Sequence, residues 1–244
     1  MRILLLYCML SVGCLPALKA QMVEKSNLQY KNGNYNVFII HCDAAVTKRI
    51  SIIENTANVS ESAYFNTLGA QSLFFSITAS VVDSDCRPLG LCIENGQLLH
   101  SLNSNAGEGN FFLKPNGVLM VDSGTVKIIN ADNFNSKTAT TAIQSGPMLV
   151  IDGKIHPAFD PGSKNKNIRC GAGIYTENGE SFLVFIKSVS PVSFAEFAAI
   201  FRDEYKCSNA LNLESGAYCS MHLPTVDKNY STKTKICRYL FIRL

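Results

Sequence analysis

The 244-residue chain is 47% hydrophobic and 17% charged, with 22 basic against 19 acidic side chains. That supplies enough apolar material for one sizeable core and excludes disorder over most of the length. Residues 1–20 carry Arg2 and Lys19 and no acid, so 20 basic side chains face 19 acidic ones beyond them, a balance with no basic face for nucleic acid.

Residues 1–20 open with Met1-Arg2, pass through an apolar run at 3–10 and end in Lys19-Ala20. A charged start, a short apolar middle and a small residue at a cleavage point form the pattern of a signal peptide, with a run too short to span a membrane. This predicts a secreted or periplasmic protein with no membrane span after cleavage. Setting aside Cys8 and Cys14, seven of the nine cysteines remain: Cys42, Cys86, Cys92, Cys170, Cys207, Cys219 and Cys237. The number is odd, and Cys86 and Cys92 are close enough in sequence to close a small loop in an oxidising compartment. No pair has Cys-x-x-Cys spacing and the four histidines are scattered, so neither a metal nor another cofactor is predicted.

Beyond Gln21, branched runs alternate with turn signals. Residues 36–42 and 49–54 read as strands. Asn32-Gly33, Asn95-Gly96, Asn116-Gly117, Asp152-Gly153 and Asn178-Gly179 are hairpin signals, because these residues tolerate the positive φ that tight hairpin turns require. They predict hairpins of 89–94 with 97–102, 111–114 with 118–121, 148–151 with 154–156, and 172–176 with 181–186. Ser193 and Glu196 form a capping box, and Phe194, Phe197, Ala198 and Phe201 share one helical face. A helix is therefore expected to end near Tyr205-Lys206, ahead of a strand at 210–213. A weaker helical pattern lies within 60–73.

The fold class is α+β: one domain over 21–221 with a largely antiparallel or mixed sheet, hairpins and a few packed helices. Residues 222–244 form an unplaced tail, with an edge strand at Tyr239-Leu240-Phe241-Ile242 as one option. Asn58-Val59-Ser60 and Asn229-Tyr230-Ser231 match the glycosylation acceptor pattern.

Three glycine-bearing turns carry the chemistry: Gln144-Ser145-Gly146-Pro147, residues 167–173 with Arg169, and Asn212-Leu213-Glu214-Ser215-Gly216. They set a hydroxyl, a guanidinium and a carboxylate at loop ends, where sites sit on rigid scaffolds. Asp83 and Asp85 read as a solvated loop, and Lys114 and Asn116 as hairpin residues.

These blocks, with Arg87-Pro88-Leu89-Gly90-Leu91 and Gly109-Asn110-Phe111-Phe112-Leu113-Lys114-Pro115-Asn116-Gly117 ahead of them, resemble the phosphodiester glycosidase family over residues 30–220. The resemblance implies an exported hydrolase that cleaves a sugar-1-phosphodiester, with a sugar phosphodiester or envelope glycan as its partner. It implies that Arg169 holds phosphate, that Glu214 is acid/base or nucleophile, and that Thr78 is the third catalytic position. Ser145, Gly146, Ser215 and Gly216 are then the substrate-binding residues. The chain departs from the family where Thr78 and Ser80 replace an Asn and a Gly, and where Glu214-Ser215-Gly216 replaces Asp-Gly-Gly. Those departures support a second expectation, a catalytically impaired member that binds carbohydrate or serves as a structural protein.

Overall fold

The computed structural model describes residues 22–55, 59–68, 74–223 and 235–243. The expected signal peptide at 1–20, Asn58 and the acceptor at 229–231 lie outside them. Among the described residues, 16 strands form sheets of seven, four and five strands. The first follows the order β1 (Met22–Tyr30), β2 (Gly33–His41), β13 (Glu180–Ser188), β12 (Arg169–Glu177), β14 (Asn209–Ser215), β10 (Met148–Ile151), β11 (Lys154–Ile155). The second is β15 (Met221–His222), β4 (Phe74–Thr78), β16 (Arg238–Arg243), β3 (Ile50–Glu54). The third is β6 (Gln97–His100), β5 (Cys92–Glu94), β9 (Ala139–Ser145), β7 (Gly117–Asp122), β8 (Thr125–Asn130).

Every pairing within these sheets is antiparallel, so the mixed-sheet alternative is set aside. Among the described residues the α-helices are α1 (Ala44–Thr47), α2 (Glu61–Thr67) and α3 (Phe194–Asp203). They are few and short, so the protein is mostly β rather than a balanced α+β fold. The sheets close on one another: Phe38, Phe185, Ile52, Ile77, Leu119 and Ile143 from all three share one core. With that core enclosed by sheets, helices are needed only on outer faces.

α3 covers the outer face of the seven-stranded sheet, and its capping box forms as expected. Phe197 and Phe201 are fully buried, each stabilising by roughly 1.5–3 kcal/mol. The strand opposite them explains the Arg169-Cys170-Gly171-Ala172-Gly173 spacing. A Cβ at Gly171 would meet Phe197 at 2.9 Å, and one at Gly173 would meet Phe201 and the Cys207 Sγ at 2.6 Å. The glycines therefore let the helix sit against the strand. α2 falls inside the expected 60–73 window, capped by Ser60.

The turns at Asn95-Gly96, Asp152-Gly153 and Asn178-Gly179 form with both residues at positive φ. The Asn116-Gly117 hairpin does not. Asn116 is buried, and its amide donates to the carbonyls of Phe111 and Ser145. Gly117 thereby opens β7, and the actual turn is Ser123-Gly124. The tail is also corrected: β16 lies between β4 and β3, an interior strand and not an edge one. Its apolar side chains complete the second sheet's core face, which a local reading of 222–244 leaves without a partner. Cys86 pairs with Cys237 rather than Cys92, tying that tail to the 83–87 loop, and Cys170 pairs with Cys219. Cys92 is buried on β5 as a free thiol.

Candidate functional site

The β12 and β14 strands bring two of the three turns together. Arg169, the first residue of β12, lies directly opposite Ser215, the last of β14, and Cys170 lies opposite Glu214. Paired residues share a face and successive residues alternate. Arg169 and Ser215 therefore face α3, while Glu214 and Cys170 face the core enclosed by the three sheets. The guanidinium and the carboxylate flank one end of the sheet from its two sides.

Arg169 is 1% exposed. Its Nε donates to the Val192 carbonyl at 2.9 Å, Nη1 to the Ser215 hydroxyl at 3.1 Å and Nη2 to the Asn165 carbonyl at 3.5 Å. The guanidinium carbon sits 3.5 Å from the centroid of Phe194, a cation–π contact. All three acceptors are neutral. No ion pair to Arg169 is found among the described residues. Burial lowers its pKa to about 10, which leaves it charged at neutral pH. A buried cation without a carboxylate is costly to the fold and leaves charge to offer an anion.

Glu214 is in the opposite state. Burial raises its pKa to about 7, partly offset by the Ser215 N–H, which donates to Oε1 at 2.8 Å. Near neutrality it exists in both protonation states, as an acid/base group requires. Ser215 has an ordinary extended φ of −143°, so the serine in place of glycine introduces no backbone strain. The positive φ of 73° falls on Gly216.

Thr78 ends β4 on the Glu214 side. Its hydroxyl donates to the Tyr218 carbonyl at 2.7 Å and accepts from the Ser220 N–H at 3.0 Å. Behind it the Ser220 hydroxyl donates to both carboxylate oxygens of the buried Glu61. The third turn joins from β9. The Ser145 hydroxyl donates to the Leu213 carbonyl at 3.1 Å, which uses its proton inside the fold, and the Gly146 carbonyl accepts from the Asn212 amide at 3.1 Å. Asn212 Oδ1 in turn accepts from the Ser215 hydroxyl at 3.4 Å. A chain of contacts thus runs from Arg169 through Ser215 and Asn212 to Gly146. Sequence reasoning missed Asn212 as the link, although it stands within the quoted motif, and missed Phe194 as the guanidinium's platform.

Two cavities adjoin these walls. The larger, about 690 Å³, lies beside α3 and includes Tyr30, Lys31, Phe159, Lys166 and Arg202. None of the expected site residues lines it. The smaller, about 300 Å³, is lined by Thr78, Ser80, Asp83, Tyr218, Lys235 and Arg238. Of the expected site residues Thr78 alone lines it, with Tyr218 from the turn that follows Glu214-Ser215 beside it. Asp83 accepts from the N–H groups of Asp85 and Arg87, a loop-closing role consistent with the solvated reading. Among the described residues no group of three or more His, Cys, Asp or Glu could hold a metal ion, and no helix is long and apolar enough to cross a membrane.

A family model described as phosphodiester glycosidase matches residues 37–239. Among curated proteins the chain is 38% identical over 140 residues to "Uncharacterized protein YigE" of Escherichia coli (strain K12). That match covers 57% of this chain and 54% of the relative, so it spans about half the relative's length. Among solved structures the fold is similar to the catalytic domain of zebrafish N-acetylglucosamine-1-phosphodiester alpha-N-acetylglucosaminidase, auto-inhibited by its pro-peptide. The TM-score is 0.56 at 14% identity, covering 92% of this chain and 88% of that one. A putative exported protein from Burkholderia pseudomallei K96243 is similar at a TM-score of 0.50 and 11% identity, covering 85% and 73% of the two chains.

Proposed function

The chain belongs to the phosphodiester glycosidase family, and from that premise we propose that it hydrolyses a sugar-1-phosphodiester. The observation that carries this reading is the state of Arg169: buried, charged, stacked on Phe194, and bonded to neutral oxygens. A phosphodiester oxygen would supply the missing negative charge through paired, charge-assisted N–H bonds.

In this reading the bond between the anomeric carbon and the phosphate oxygen breaks. The electron pair leaves with the phosphate monoester, whose charge Arg169 stabilises, and water adds to the sugar. Glu214, with its pKa raised to about 7, takes the water's proton as the general base; the ionised carboxylate also favours the positive charge developing on the sugar. Thr78 acts by holding the Tyr218 carbonyl and the Ser220 N–H, which fixes the turn after Glu214. Ser145 and Gly146 act through Leu213 and Asn212, bracing the same strand. The guanidinium lies beneath the 160–167 loop, whose Asn165 carbonyl accepts from Nη2. A phosphate oxygen that takes Nη2 would replace that carbonyl.

The same reading makes residues 1–20 a cleaved leader. Two disulfides support a life in an oxidising compartment, secreted or periplasmic, where an envelope glycan is the partner available. A second reading, saccharide binding without turnover, is favoured by the register that sets Arg169 and Glu214 on opposite faces of the sheet. The test is turnover of a chromogenic N-acetylglucosamine-1-phosphodiester by the mature protein beside Arg169→Ala. The hydrolase reading expects release with the first and a loss of roughly 100- to 1,000-fold with the second, the scale of removing one transition-state charge donor. Equal turnover by both would remove Arg169 from the mechanism, and inertness of the parent on sugar phosphodiesters would leave the binding reading.

A further inference from the structure

Tyr218 is 61% exposed, and of the exposed large apolar side chains among the described residues (Leu98, Leu99, Val189 and Tyr218) it is the one lining the Thr78 cavity. It sits two residues beyond Gly216, in the turn Gly216–Tyr218. The backbone beneath it is fixed on three sides. Thr78 donates to its carbonyl at 2.7 Å, the Cys219 N–H donates to the Gly216 carbonyl at 3.2 Å, and the Cys170–Cys219 disulfide anchors the next residue to β12. A ring that is loose in packing but held at its root is suited to contact with a ligand. Around it the wall mixes polar side chains, among them Asp83, Ser84 and Lys235, with the apolar Val82 and Ile236. At about 300 Å³ the cavity is at the small end of ligand pockets, with room for one sugar ring rather than a chain.

We propose that this cavity is the saccharide subsite, that it takes a single pyranose ring, and that Tyr218 is the residue on whose face the ring stacks. The proposal rests on the phosphodiesterase reading for its place in a reaction, but not for the binding itself. The C–H face of a pyranose meets the electron-rich face of the phenol ring, while its hydroxyls meet the Ser84, Asp83 and Lys235 groups around it. Thr78 is the residue this cavity shares with the expected catalytic set.

The experiment is saturation-transfer NMR on the disulfide-intact protein with free glucose, galactose, mannose and N-acetylglucosamine, beside Tyr218→Ala and Tyr218→Phe. Saturation transfer to the ring protons of at least one sugar is expected with the parent and with Tyr218→Phe, which keeps the aromatic face. With Tyr218→Ala the affinity falls roughly 3- to 10-fold, the worth of one aromatic contact. Thermal melting confirms that the variants are folded. Binding by Tyr218→Ala equal to the parent, or absence of transfer from the parent to all four sugars, overturns the subsite. On a phosphodiester substrate the same change raises KM and leaves kcat nearly unaltered. An active parent with unchanged KM in Tyr218→Ala sinks this proposal and spares the hydrolase reading. An inert parent with ring-dependent sugar binding does the reverse.

Discussion

The two walls at the end of the seven-stranded sheet are built differently. The Arg169 wall is made mostly by neighbours in sequence, the β12–β13 hairpin, the 189–193 connection and the first turn of α3, with Ser188 accepting from the Arg169 N–H and Val192 from its Nε, and Ser215 of β14 is its distant member. The Glu214 wall is assembled from distant segments, β4, the 216–220 turn and β16, stapled by Cys170–Cys219 and Cys86–Cys237. Their electrostatics differ as well. The first holds a charge that persists at neutral pH, and the second holds a carboxyl that titrates there. One wall is a fixed cation and the other a switch, so the pH response of the protein should come from Glu214 and its binding strength from Arg169.

The largest effect that would break this comparison is on Glu214. Glu214→Gln should abolish hydrolysis and with it the rise of kcat/KM with pH near 7. It should also change the stability profile. Between the ordinary value of 4.5 and about 7, the folded protein binds a proton that the unfolded chain does not, so stability falls as pH rises through that window. Melting temperatures of the parent, measured from pH 4.5 to pH 8, should decline more steeply than those of Glu214→Gln. Parallel profiles would show that the carboxyl is not held in its neutral form.

A smaller effect tests the assembled wall through its central hydroxyl. Thr78→Val keeps the shape but leaves the buried Ser220 N–H and the part-buried Tyr218 carbonyl without the Thr78 oxygen, at a cost of about 1–3 kcal/mol. Denaturant melts should register that loss, and wild-type stability would mean the turn is held by other means. The smallest expected change is on the local wall. Phe194→Leu removes the cation–π contact but keeps the apolar bulk, so binding of phosphate-bearing substrate should weaken by about 1 kcal/mol, near fivefold in KM, with the melting point little moved. An unaltered KM would show that Arg169 is placed by its hydrogen bonds alone.

The contrast also explains what could be read in advance. Hairpins at Asn95-Gly96, Asp152-Gly153 and Asn178-Gly179 and the capped helix α3 were legible because each signal and its consequence lie within a few residues. Asn116-Gly117 carried the same signal and failed, because Asn116 found buried carbonyl partners at Phe111 and, 29 residues away, Ser145. Of the candidate site, Arg169, Glu214 and their glycine turns were visible as residue types in order. The partners that set their charge states were not.

By itself, then, the sequence determined the family, the strand-and-turn character and the covered face of α3, since periodicity, turn propensity and capping act over one or two turns of chain. Tertiary structure alone decided that residues 238–243 lie inside a sheet, that Cys86 pairs with Cys237, and that Arg169 and Glu214 stand on opposite faces. Those outcomes depend on sheet register and on burial, which are set by segments far apart in the chain. A carboxyl has no raised pKa until the fold takes water away from it.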